Sequence, residues 1–125
     1  MILVDSDVLI AHTRGVTAAG EWLLQARRST GQLAISVITV AEVVGGMRFS
    51  ERPQTVRLVA TLRKFPVSER VAWRAAELAR LYRQTNPGVG LGDYLIAATA
   101  LLEGLDLATL NVKHFPMFAA LKAPF

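Results

Sequence analysis

The chain contains no cysteine. A disulfide framework and thiolate metal ligands are therefore excluded. Histidine is nearly as scarce, with 2 residues, His12 and His114. They lie too far apart in sequence for a recognisable zinc pattern, and each reads as a surface or satisfied histidine. No apolar run approaches the roughly 20 residues of a membrane span. The N-terminus lacks the basic start and long apolar middle of a signal peptide, and Asp5 interrupts it at once. The expectation is a soluble, cytoplasmic protein with no membrane partner. Acids are also few, 10 against 14 Lys and Arg, for a net charge of +4. The basic residues run from Arg14 to Lys122 without a dense block. A polyanionic partner is compatible with this balance, but the charge alone is a weak signal.

What is present suffices for a core. The 125 residues are 52% apolar and 19% charged, which excludes disorder. A chain of about this length buries roughly two-thirds of its unfolded surface. The expectation is one domain spanning residues 1–125.

Short apolar runs alternate with longer helical patterns. Strands are expected at Ile2-Leu3-Val4, Leu33 to Val37, Lys64 to Val67 and Leu107 to Leu110. The runs are nearly continuous, as in strands covered on both faces. Thr17 is expected to cap a helix reaching about Arg28, with Gly31 ending it. Thr39 starts another, to about Met47. Pro53 suits the first turn of a third, reaching Leu62. Ser68 caps the longest, through Arg83, with Val71, Ala75, Leu78 and Tyr82 on one stripe. Asn86 to Gly90 breaks the chain. A last apolar helix runs from Tyr94 to Glu103 and stops at Gly104. This alternation predicts a three-layer α/β/α domain with a mainly parallel central sheet of four to five strands.

The acids mark the ends of these elements. Asp5 and Asp7 follow the first strand. Glu42 lies past the second, in what reads as the first turn of a helix. Asp93 opens the last helix, and Asn111 follows the fourth strand. Each has a plain structural explanation. Asp7 would serve as a helix N-cap, and Thr39-x-x-Glu42 has capping-box spacing. Asp93 would favour the positive end of its helix, and Asn111 would be a turn residue. Taken together they suggest more, because ligands of an open parallel sheet bind beyond the carboxyl ends of its strands. Oxygen-bearing side chains converging there need a cation. Carboxylates without cysteine suit Mg²⁺ or Mn²⁺. Such a site suits phosphodiester hydrolysis.

At these residues the chain resembles the PIN-domain family, and within it the VapC-type toxins of toxin–antitoxin pairs. The matching pieces are Leu3-Val4-Asp5-Ser6-Asp7-Val8-Leu9-Ile10, Ser36-x-x-Thr39-x-Ala41-Glu42, Asp93-x-x-Ile96-Ala97-Ala98 and Thr109-x-Asn111-x-x-His114-Phe115. Their order and spacing match, and the resemblance covers almost the whole chain. It implies a Mg²⁺-dependent endoribonuclease that acts on RNA, dimerises and is held inactive by a VapB-like antitoxin. Asp5, Glu42 and Asp93 match the family's acidic metal ligands and catalytic residues. Ser6, Asp7, Thr109 and Asn111 occupy supporting positions. The family often has a fourth acid where Asn111 stands, and an amide there puts a tight second-metal site in doubt. Met47, Arg48 and Phe49 offer apolar and basic material to an antitoxin, or equally a helix end with ordinary packing.

Two other readings compete. Asp5-x-Asp7 after a first strand also resembles haloacid-dehalogenase-like phosphatases. That pattern expects a Thr two residues past the second Asp, and Leu9 stands there. A non-catalytic RNA- or protein-binding module on a degenerate PIN fold has Asn111 in its favour, and Asp5, Glu42 and Asp93 against it.

Overall fold

Leu3 points into one half of the core, while Ile2 and Val4 point into the other. The computed structural model describes Met1–Phe125, and this alternation in the first strand sets its layers. Strand β1 is Ile2–Val4, β2 is Ala34–Ser36, β3 is Arg63–Phe65 and β4 is Asp106–Ala108. They form a 4-stranded sheet in the order β3-β2-β1-β4, and every pair is parallel. The strand count and the parallel direction agree with the expectation from the sequence.

Helices α1 (Ser6–Thr13), α2 (Thr17–Thr30), α3 (Val37–Gly46) and α4 (Arg52–Ala60) supply the core on one face. Helices α5 (Glu69–Tyr82) and α6 (Leu91–Glu103) cover the other. With both faces covered, inward side chains such as Leu3, Val4 and Ile35 lose all contact with solvent. Each such burial is worth about 1.5–3 kcal/mol. The stripe predicted on α5 is real, with Val71, Ala75 and Leu78 buried and Tyr82 packed beside them. Ser68 caps this helix by accepting from Val71 N at 3.2 Å. Gly104 ends α6 in the left-handed region, at φ 65°, where a side chain would be strained.

Several local expectations need correction. Asp5, not Asp7, is the N-cap of α1, accepting from Ser6 N at 2.8 Å. Val16 precedes α2 without a side-chain cap, and Thr17 is already helical. Ser36, not Thr39, caps α3, accepting from Ile38 N at 3.2 Å. The helix therefore starts at Val37, and Glu42 falls in its second turn rather than in a capping box. Thr39 is buried inside this helix and its hydroxyl has no partner. Strands β3 and β4 each begin and end earlier than their apolar runs suggest, because ladder pairing rather than hydropathy sets their limits. A short 3-10 turn, Phe49–Glu51, precedes α4. Phe49 is 94% exposed there, so ordinary packing does not account for it.

Candidate active site

The order β3-β2-β1-β4 makes the chain change direction at β1, with β2 on one side and β4 on the other. The gap beyond the carboxyl ends at such a switch point is where open parallel sheets bind ligands. Asp5 N donates to Ala108 O at 2.9 Å, which continues the β1–β4 ladder past the strand ends. Val4 pairs with Ala108, so Asp5 and Thr109 come next, side by side.

This register produces a compact hydrogen-bonded knot. Thr109 Oγ1 donates to Asp5 Oδ2 at 2.8 Å and lies 3.3 Å from Asp7 Oδ2. A hydroxyl has one hydrogen, so the shorter contact takes it. The same oxygen accepts from Asn111 N at 3.0 Å. Asp7 Oδ2 accepts from Leu110 N at 3.0 Å, while its Oδ1 is buried with no partner. Fully buried Thr109 thus ties Asp5, and Leu110 N ties Asp7, to the turn after β4.

The electrostatics are unfavourable for Asp5 as an anion. It is 5% exposed. Its pKa is pushed from 3.8 up to about 6, chiefly by burial and next by the charge of Asp7. The Thr109 and Ser6 hydrogen bonds pull it back in part, and Asp93 adds a smaller push upward. Glu42 is also raised, by desolvation first and then by Asp93 and Asp7, against a Ser6 hydroxyl that holds it down. Much of its surface remains open, so water tempers that shift. Glu42 reaches towards α6, where a Cβ on Gly92 would stand 3.8 Å from its Oε2.

Asp93 sits in the first turn of α6. Its Oδ2 accepts from Gly90 N at 3.2 Å, fixing the start of the helix. The same oxygen lies 3.2 Å from His114 Nδ1. A carboxylate only accepts, so the ring hydrogen belongs on Nδ1. The Asn111 amide lies 3.3 Å from the same ring nitrogen, so its oxygen is the end that suits the ring hydrogen. His114 therefore belongs to this site, whereas from the sequence it stands in the last motif but reads as a surface or satisfied histidine. The signal was its spacing after Thr109 and Asn111.

The structure brings Asp5, Asp7, Thr109 and Asn111 into direct contact, and joins Asp93 to Asn111 through His114. Ser6 and Glu42 flank them. Asp7 is more central than its sequence suggests, because its Oδ2 accepts from Leu110 N beside the Thr109–Asp5 bond. The acids do not close into a cage, since no three His, Asp or Glu side chains stand together as ready ligands. Like charges favour separation, and Asp93 is held by partners of its own. The donor set still fits a hard cation: carboxylate oxygens without sulfur suit Mg²⁺ or Mn²⁺. Asp5, Asp7 and Glu42 take part in no salt bridge, and the stranded Asp7 Oδ1 and the raised Asp5 both mark negative charge without compensation. Leu9, by contrast, is buried completely and supplies none of the chemistry the phosphatase pattern needs.

Comparison with known proteins agrees with this architecture. The pattern of the PIN domain matches residues 2–119. Ribonuclease VapC10 of Mycobacterium tuberculosis is 59% identical over 125 residues, covering 100% of this chain and 93% of that protein. Ribonuclease VapC19 of the same organism is 36% identical over 125 residues, covering 100% of both. Among solved structures, a toxin–antitoxin complex from Klebsiella pneumoniae superposes with a TM-score of 0.81 at 31% identity, covering 100% of this chain and 98% of that one. VapBC2 from Rickettsia felis, solved with a DNA fragment from its promoter, shares the fold at a TM-score of 0.78 and 22% identity, covering 98% and 97%. The chain belongs to the PIN-domain family, alongside its VapC-type members.

Proposed function

We propose that this chain is a Mg²⁺-dependent endoribonuclease, with Mn²⁺ as a substitute, and the toxin of a VapBC-type pair. It acts as one domain over residues 1–125, in the cytoplasm, as a homodimer restrained by a VapB-like antitoxin. The observation that carries the reading is Asp5, a buried carboxyl beside a second acid at the sheet's switch point, with no cationic side chain against it. Relatives named as VapC ribonucleases over the full chain support RNA as the substrate. A neighbour solved as a toxin–antitoxin complex supports the partner, and exposed Phe49 beside Arg48 offers it an apolar and basic anchor.

Asp5, Glu42 and Asp93 would hold the ion, with Asp7 in support. When bound, it supplies Lewis acidity that makes water nucleophilic and offsets charge at the phosphorus centre. The chain's own residues prepare the site. Thr109 aims Asp5, and the Gly90 N–H and His114 aim Asp93. Ser6 steadies the negative charge of Glu42.

The test is digestion of a mixed RNA pool in Mg²⁺ and in EDTA, beside a small phosphate ester. Cleavage of RNA that EDTA abolishes is expected. Cleavage that persists in EDTA contradicts the metal mechanism. Turnover of the ester alone favours a phosphatase, and no turnover by the folded, metal-loaded chain favours a binding module.

A further inference from the structure

Next to His114, a polar recess of about 360 Å³ opens between the loop before α6 and the turn after β4. Asn86, Gly88, Val89, Lys113 and His114 line it. Its volume is within the range of about 300–1,000 Å³ typical of small-molecule sites. Two of its polar groups, Asn86 and His114, are held by hydrogen bonds.

Asn86 is fixed from several directions. Its Nδ2 donates to Tyr82 O at 3.3 Å and to Thr85 Oγ1 at 2.9 Å. Its backbone N donates to Tyr82 O at 2.8 Å, and its carbonyl accepts from Val89 N at 3.2 Å. A backbone carbonyl only accepts, so the amide cannot be flipped, and Oδ1 is the end left for a ligand. Lys113 is exposed and pairs with no carboxylate. His114 directs Nδ1 at Asp93, which leaves Nε2 towards Gly88, where a Cβ would stand 3.9 Å away.

We propose that this recess seats the nucleobase next to the cleaved bond and selects guanine, which rests on the ribonuclease reading above. An asparagine commonly reads adenine by pairing its amide nitrogen and oxygen with N7 and N6 together. Here both amide hydrogens are committed to Tyr82 and Thr85, so that pairing is blocked. What remains is two acceptors, Asn86 Oδ1 and the bare His114 Nε2, and one cation, Lys113. Guanine alone offers two neighbouring donor groups, N1–H and N2–H, to the two acceptors, with O6 beside them for Lys113, whereas adenine and cytosine offer one amino group and uracil one ring N–H. Gly88 leaves room for the ring, and buried Val89 forms an apolar floor.

The experiment follows backbone amide shifts of the full chain with GMP, AMP, CMP, UMP and inorganic phosphate. GMP is expected to move Gly88, Val89, Lys113 and His114, and to bind at least about fivefold more tightly than the other nucleotides. Lys113→Met should weaken GMP and narrow its margin over AMP. Gly88→Ala places a methyl at ordinary contact distance from His114, so it keeps the fold while narrowing the recess, and should weaken GMP. Equal binding of all four nucleotides, shifts that inorganic phosphate reproduces, or shifts confined to other surfaces would overturn the proposal. Nucleoside monophosphates have no phosphodiester to cut, so the result is independent of cleavage. GMP held in the recess of a chain that cuts no RNA would keep the guanine site and sink the ribonuclease reading. Cleavage without GMP binding would do the reverse.

Discussion

Thr109 Oγ1 and Asp5 Oδ2 meet at 2.8 Å across 104 positions of sequence, at the ends of two paired strands. This bond pulls the pKa of Asp5 downward against burial and Asp7. Thr109→Val keeps the shape and removes the hydroxyl. It also strips Asn111 N of its acceptor. The expected cost is about 1–3 kcal/mol, because buried polar groups lose their partner, with the pKa of Asp5 moving above its present value. Urea unfolding and carboxyl NMR titration read the two effects. An unchanged Asp5 titration would show that the bond does not tune the acid.

The raised pKa of Asp5 sets a sign for pH dependence. The folded chain keeps a proton that the unfolded chain releases between pH 3.8 and about 6. Below that window Asp5 costs nothing. As pH rises through it, the native state loses stability relative to the unfolded state, by about 3 kcal/mol for a shift of roughly two units. Asp5→Asn removes that cost. In EDTA the variant should be the more stable protein at about pH 8, and the gain should fade by about pH 4. A gain that is equal at both pH values would contradict this origin.

Metal should reverse the ranking. A cation that binds only the folded state stabilises it by mass action. Mg²⁺ is therefore expected to raise the melting temperature of the wild-type chain at about pH 8 and to leave Asp5→Asn unmoved. Equal shifts in both would place the ion elsewhere.

Glu42 and Ser36 separate capping from chemistry. Ser36 caps α3, so Ser36→Ala should cost about 1 kcal/mol. Thr39→Ala should cost little from lost hydrogen bonding, since that hydroxyl has no partner. Glu42→Gln should stay within about 0.5 kcal/mol of wild type, because Glu42 caps nothing, yet depress RNA cleavage strongly. Denaturation and cleavage rates of the same three variants decide this. A large stability loss in Glu42→Gln would return that residue to a structural role.

The layers of the fold were legible because Ile2-Leu3-Val4 and the stripe on α5 carry their burial in composition alone. Helix starts were less legible. Two neighbouring oxygens compete to cap α3, and only backbone direction selects Ser36 over Thr39. The positions of the acids past the strand ends could be read, but their pairing could not. Asp7 looked secondary because its partner, Leu110 N, lies just past a ladder residue whose register is not written locally. His114 could be placed in the last motif but its role could not be read, because its partner, Asp93, lies on another element.

The most direct test is the rate of RNA cleavage against Mg²⁺ concentration, in the wild-type chain and in Asp5→Asn. The acid cluster predicts a rate that rises and saturates with Mg²⁺ in the wild type and stays at background in the variant at every concentration. Comparable, Mg²⁺-responsive cleavage by both proteins would contradict the assignment of the chemistry to Asp5 and its neighbours.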